Sequence, residues 1–177
     1  MKEVREQKEQ INWKAKVKLF KYAEDITPFE KEGREAEFHK LFTPYEVVES
    51  EGNLLLNEGI NALWSILCET TPTETRYTAA DARMGVGNGT AAAAATDTGL
   101  VGASTAFKAM ESGYPTFGSA QKVTFKASFG DTEANFAWNE WTIDNGATPN
   151  KNLNRKVESL GTKTTGTWTL EVSVTLS

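Results

Sequence analysis

The sequence predicts a mainly β domain, a β-sandwich or jelly-roll-like fold with one α-helix at about residues 53–69 and a charged N-terminal arm. Three stretches after Gln121 carry that reading. In QKVTFKASF, Val123, Phe125, Ala127 and Phe129 alternate with Lys122, Thr124, Lys126 and Ser128, the period of two expected when one face of a strand is buried. The last strand alternates most cleanly, with Trp168, Leu170, Val172, Val174 and Leu176 on one side and Thr167, Thr169, Glu171, Ser173 and Thr175 on the other. FAWNEWTI carries apolar residues in both registers, Phe136 and Trp138 in one and Ala137, Trp141 and Ile143 in the other. That pattern predicts a strand covered on both faces, within a sandwich or at a contact between copies.

Length and composition bound the remaining choices. A chain of 177 residues fits one domain with an extension and can bury a sizeable core. Its order suggests an arm at residues 1–12, a strand plus extended excursion at 13–52, and a β-rich domain with one helix at 53–177. The net charge of -5 argues against nucleic acid as the main partner, because neutralising phosphates takes a basic surface. One cysteine, Cys68, cannot form an intrachain disulfide. No apolar run approaches the ~20 residues that a membrane helix needs, so no membrane partner is expected.

The opening MKEVREQKEQ is almost wholly charged or amide and has no apolar face of its own. It is either a solvated tail or an arm ordered by a neighbouring chain, with Lys2, Arg5 and Lys8 as the partner contacts through charge-assisted hydrogen bonds. NWKAKVKLFKY then alternates, Trp13, Ala15, Val17 and Leu19 against Lys14, Lys16 and Lys18, and reads as a strand whose lysines guard an exposed edge. From Ala23 to Tyr45 the chain is polar, punctuated by Pro28, Gly33 and Pro44, and reads as a long excursion or hairpin; EVVES adds a short strand. In NLLLNEGINALWSILCET, Asn53 is a natural N-cap. Leu56, Ile60, Leu63, Trp64 and Leu67 fall on one helical face, expected to be buried. Pro72 ends the helix.

RMGVGNGTAAAAATDTGLVG contains three alternate glycines, yet it lacks both the P-loop spacing with its Gly-Lys-Ser/Thr and the GxGxxG of a dinucleotide site. A short strand leaving through a tight turn fits better, with glycines supplying positive φ, followed by a small-residue loop packed on the sheet. The other chemical candidates are isolated. His39 is the only histidine and has no partner in view, and Cys68 reads as a packed side chain. One histidine and one cysteine fall short of a zinc set, and no DxDxDG calcium loop occurs, so no cofactor or metal is expected. Glu140 and Asp144 on a strand would stand ~13 Å apart at ~3.3 Å per residue. That exceeds the ~6.5–9.5 Å of an inverting glycosidase pair, so Glu140 is expected to be satisfied by an arginine or by backbone donors, and the chain is not expected to be an enzyme. Trp138 and Trp168 read as core, and Trp141 as the exposed or interface aromatic.

From Asn53 to Ser177, the order of NLLLNEGINALWSIL, MGVGNGT, the alanine stretch ending in TDTGL, AMESGYPTF, FAWNEWTIDNG and LNRKVESLGTKTTGTWTLEVSVTL resembles small structural proteins of tailed bacteriophages. The resemblance implies a virion protein, most simply a capsid decoration or cement protein that bridges capsomers. Its partners would be copies of itself, as a homotrimer, and the major capsid protein, with assembly in the host cytoplasm. The alternative it implies is a tail or fibre component that binds a host surface glycan; on the residues themselves, Trp138, Trp141 and Trp168, with Phe136 and Tyr114, are the candidates for its sugar-stacking platform. No residue acquires a catalytic role from it.

Overall fold

A computed structural model describes residues 12–177. Strand β1 (Trp13–Tyr22) is followed by two short helices, α1 (Thr27–Glu30) and α2 (Glu35–Leu41), then β2 (Glu46–Glu51) and β3 (Leu54–Leu55). Helix α3 (Asn57–Cys68) precedes β4 (Arg83–Gly87), β5 (Thr105–Ala109), β6 (Thr116–Ser119), β7 (Lys122–Phe129), β8 (Ala137–Asp144), β9 (Asn154–Thr162) and β10 (Thr167–Leu176). The strands form two antiparallel five-stranded sheets, β2-β1-β10-β7-β6 and β3-β9-β8-β4-β5. The fold is mainly β and sandwich-like, as the alternation predicts.

The core lies between the sheets because each contributes one apolar face. Ala15, Val17 and Leu19 of β1, Leu170, Val172 and Val174 of β10, and Phe125, Ala127 and Phe129 of β7 meet Met84, Val86, Trp138, Trp141 and Ile143 from the opposite sheet. β10 is the middle strand of its sheet, paired with β1 on one side and β7 on the other. The end of the sequence is therefore the centre of the fold.

Several sequence expectations change. β1 is an interior strand, with β2 along its outer side, so its lysines do not guard an edge. Lys16 and Lys18 stand directly opposite Glu51 and Glu49 of β2 and pair with them at 3.8 and 2.7 Å. The excursion after β1 is helical at α1 and α2, where Tyr22, Ile26 and Phe38 make a second small core flanked by Phe29 and Phe42. Its aromatic islands are too widely spaced to show a period, but they meet edge to face, Phe29 and Phe38 at 5.6 Å and Tyr22 and Phe38 at 5.0 Å between centroids.

The two apolar registers of FAWNEWTI do not mark two apolar faces. The register of β8 against β9 shifts between Trp138 and Glu140, and the inward positions change parity across that irregularity. Trp138 before it and Trp141 and Ile143 after it all enter the same core. The other side of β8 presents buried Glu140, Thr142 and Asp144.

Candidate interaction surface

None of the three tryptophans proposed as a glycan platform reaches the surface. Trp138 packs edge to face on Phe129 at 4.9 Å and on Trp168 at 5.0 Å, linking the two sheets. Trp141, expected to be the interface aromatic, is fully buried and donates its Nε1–H to Glu158 Oε1 at 2.8 Å. It cannot be a contact for another molecule, because the parity change on β8 turns it inward. Lys2, Arg5 and Lys8 lie outside the described residues.

The apolar surface lies elsewhere, on a helix that sits the opposite way round from its periodicity. α3 begins after Leu56, not Asn53, because Leu54 and Leu55 are taken up in pairing with Arg155 and Asn154 of β9. Asn53 instead accepts the indole N–H of Trp13 at 2.6 Å. Glu58 anchors the first turn by accepting from the backbone N–H of Asn152 at 2.7 Å and from its side-chain amide at 3.0 Å. Gly59 then lies against the chain at Leu153, where an added Cβ would stand 2.5 Å from the Leu153 carbonyl oxygen. Only a small residue permits that approach, so the helix buries Gly59 and Ala62 and rotates its large side chains outward. Leu63, Trp64 and Leu67 are 39, 59 and 74% exposed. Cys68, expected to be packed, is also exposed at the end of the same helix.

Leu63 joins this stripe to a groove of about 520 Å³ at the open end of the sandwich. The first sheet lines it with Trp13, Val123 and Val174, the opposite layer with Leu153 and Tyr77, and Phe117 of β6 stands at its lip, 81% exposed. Both ends of the described chain meet here, since Asn12 and Ser177 exchange backbone hydrogen bonds at 2.7 and 3.1 Å beside Trp13 and Leu176. Asn12, the first described residue, therefore lies at the rim of the groove.

The glycines at 85, 87 and 89 serve space and not positive φ. A Cβ at Gly85 would strike Phe107 and Thr142, and at Gly87 or Gly89 the Glu140 carboxylate. Glu140 accepts from the backbone N–H groups of Gly89 at 3.1 Å, Val101 at 3.1 Å and Gly102 at 2.7 Å, and from Arg155 at 2.7 Å. Arginine and backbone donors thus satisfy it, as expected from sequence. Asp144 is held separately by Arg83, at 3.0 and 2.6 Å. The two carboxylates serve different anchors and do not form a pair.

His39 has partners that its local sequence does not reveal. Its Nδ1 lies 3.1 Å from the Tyr22 hydroxyl and its Nε2 2.9 Å from Glu111 Oε1. Burial, with Glu111 and Glu171 nearby, pushes the Tyr22 phenol up to about 12, so it stays protonated. The ring thus bridges the Tyr22 hydroxyl and the Glu111 carboxylate. Ser128 also donates to Glu111, and Lys126 lies 3.3 Å from its other oxygen. The carboxylate stands between histidine and serine, so no histidine base faces the hydroxyl as nucleophilic catalysis requires.

Burial alone would raise the Glu111 pKa, but His39, Lys126 and Ser128 together hold it below its ordinary 4.5. A carboxylate lowered in the folded state adds stability above its unfolded pKa, and that stability disappears as pH falls through the folded value. Unfolding curves from pH 7 downward should therefore show a loss beginning near pH 4.5. Glu111→Gln should flatten that part of the profile, and equal acid slopes in both proteins would remove Glu111 from the account.

Among the described residues, no three histidine, cysteine, aspartate or glutamate side chains are grouped so as to hold a metal ion. No described helix is long and apolar enough to cross a membrane. No family model, curated protein or solved structure matches the chain.

Proposed function

We propose that this chain is a structural protein of a tailed bacteriophage particle, acting as a capsid decoration or cement protein through shape and buried area, with no catalytic step. The observation that carries the reading is the outward apolar face of α3 and the groove beside it. A sandwich whose Trp138, Trp141 and Trp168 are already buried still displays Leu63, Trp64, Leu67 and Phe117. Exposed apolar patches of this kind mark interaction surfaces. The order of segments from Asn53 to Ser177 supports the same reading. Copies of the chain would associate about a symmetry axis, as a trimer, and bridge subunits of the major capsid protein, so that opening the shell breaks more contacts.

Retention on purified particles tests this. The full chain should bind saturably to particles stripped of their decoration, and antibody against it should label intact capsids. Asn12 is tied to Ser177, so a truncation that tests the arm removes residues 1–11 only. That variant should melt at nearly the wild-type temperature but be retained less well. Its remaining attachment should be less dependent on salt, because the lost contacts of Lys2, Arg5 and Lys8 are screened over about 8 Å at physiological ionic strength. Equal retention would make the arm a passive tail, and antibody labelling confined to the tail would remove the capsid assignment.

A further inference from the structure

We propose that the outward face of α3, together with the groove and its Phe117 lip, is the contact between two copies of this chain; the inference rests on the reading of the protein as one that works in multiple copies. The helix itself supplies the first reason. An amphipathic helix on a sandwich should turn its large apolar residues toward the sheets. α3 turns Leu63, Trp64 and Leu67 away from them, because the backbone at Leu153 leaves no room for a side chain at Gly59 and the helix buries Gly59 and Ala62 instead. Among the described residues of one copy, nothing covers these side chains.

Area supplies the second reason. Leu63, Trp64, Leu67, Phe117 and Leu176 are 39, 59, 74, 81 and 46% exposed. At roughly 150–250 Å² for a large side chain, they present on the order of 600 Å² of apolar surface. That is the upper end of the ~300–600 Å² expected for the largest patch on a monomer. It approaches the ~800 Å² that each partner contributes to a standard interface.

The chemistry of the face favours a second copy over a partner of different character. Among the described residues, Lys122 is the one charged residue lining the groove. The two acids near the ends of α3 are already engaged, Glu58 by Asn152 and Glu69 by the backbone N–H of Thr73 at 2.8 Å. The face offers no charge pattern to select an anionic or cationic partner, whereas an apolar face carrying both a groove and a projecting aromatic is matched by another of its kind. Closed symmetry then covers every copy. β8 and Trp141 take no part.

Sedimentation velocity on the full chain over a micromolar concentration series provides the test. The wild type should associate with rising concentration. Trp64→Glu and Leu67→Glu should weaken that association by at least about tenfold, since truncating a central interface aromatic commonly costs that much. Both positions are exposed in the monomer, so their melting temperatures should hold, and two variants guard against a fault in either. Val47→Glu, at an exposed position on β2, should associate as the wild type does. Cys68 gives a second readout. Its reaction with a thiol reagent should slow as wild-type concentration rises and should not do so in Trp64→Glu.

A wild-type chain that stays monomeric, helix variants that associate normally, or a Val47→Glu variant that dissociates equally would each overturn the contact. The virion reading fails separately. Helix-dependent association without binding to particles supports the contact and removes the capsid role, whereas particle binding by a strictly monomeric chain removes the contact and keeps the role.

Discussion

Arg155→Met is expected to lower the stability of the folded chain by about 3–5 kcal/mol, the usual result of removing one partner from a buried ion pair. Arg155 and Glu140 are 1 and 0% exposed, at a site that loop 88–104 closes over the sheet. The guanidinium serves three acceptors: Glu140 at 2.7 Å, Asp97 at 2.8 Å and the Ala91 carbonyl at 3.0 Å. Hydrogen bonds from the Ala94 amide first, and then from Arg155, hold the Asp97 carboxyl below its ordinary range. Methionine fills similar volume but leaves Glu140 as a buried charge facing only amide dipoles.

A simple buried pair can often be replaced by two apolar side chains at little cost. Here the replacement should fail, because Glu140 is also the acceptor for the N–H groups of Gly89, Val101 and Gly102. An Arg155→Met/Glu140→Leu chain would take this acceptor from three donors, among them the buried Gly89 N–H, and a buried donor left without a partner costs about 1–3 kcal/mol. The double variant should therefore be no more stable than Arg155→Met. Urea unfolding gives the stabilities, and amide exchange at Gly89, Val101 and Gly102 should accelerate in both proteins. A loss below about 0.5 kcal/mol, the range of ordinary surface substitutions, would show that the cluster does not hold the loop.

The sandwich was legible because its strands obey a period that sequence displays directly. Ala15, Val17 and Leu19, or Leu170, Val172 and Val174, alternate with polar residues, and each set enters the core. Local propensity also placed α3, but periodicity identifies an apolar stripe without saying which side of the helix the protein touches. The decisive feature was Gly59, whose close approach is to Leu153, 94 residues away and just before β9. Glu140 was legible in kind, as a carboxylate satisfied by arginine and backbone, although the sequence did not single out Arg155 or the loop amides. His39 and Glu111 are 72 residues apart, and nothing in FHK or AMES announces that they meet. Trp141 was misread because the shift between β8 and β9 is a property of two strands together, and β8 alone cannot show it.

Trp141→Ala should therefore act on folding and not on association, the reverse of what its sequence suggests. The indole is 0% exposed, sits in the core beside Met84 and Val86, and lies in register with Val86 on one side and Lys156 on the other. Removing a buried tryptophan typically costs about 3–5 kcal/mol, in lost apolar burial and in the cavity left behind. The Glu158 carboxylate would also lose the indole donor, although Lys156 remains 2.8 Å away and would keep it paired. Trp141→Phe should recover part of the loss by refilling the cavity, without restoring the N–H donor to Glu158. Equilibrium unfolding at a concentration where the chain is monomeric isolates this effect from assembly. Self-association of whatever Trp141→Ala folds should match the wild type when compared at equal folded concentration. If Trp141→Ala instead kept wild-type stability and lost only association, the indole would have to lie at a surface, and the inward turn of β8 would be wrong.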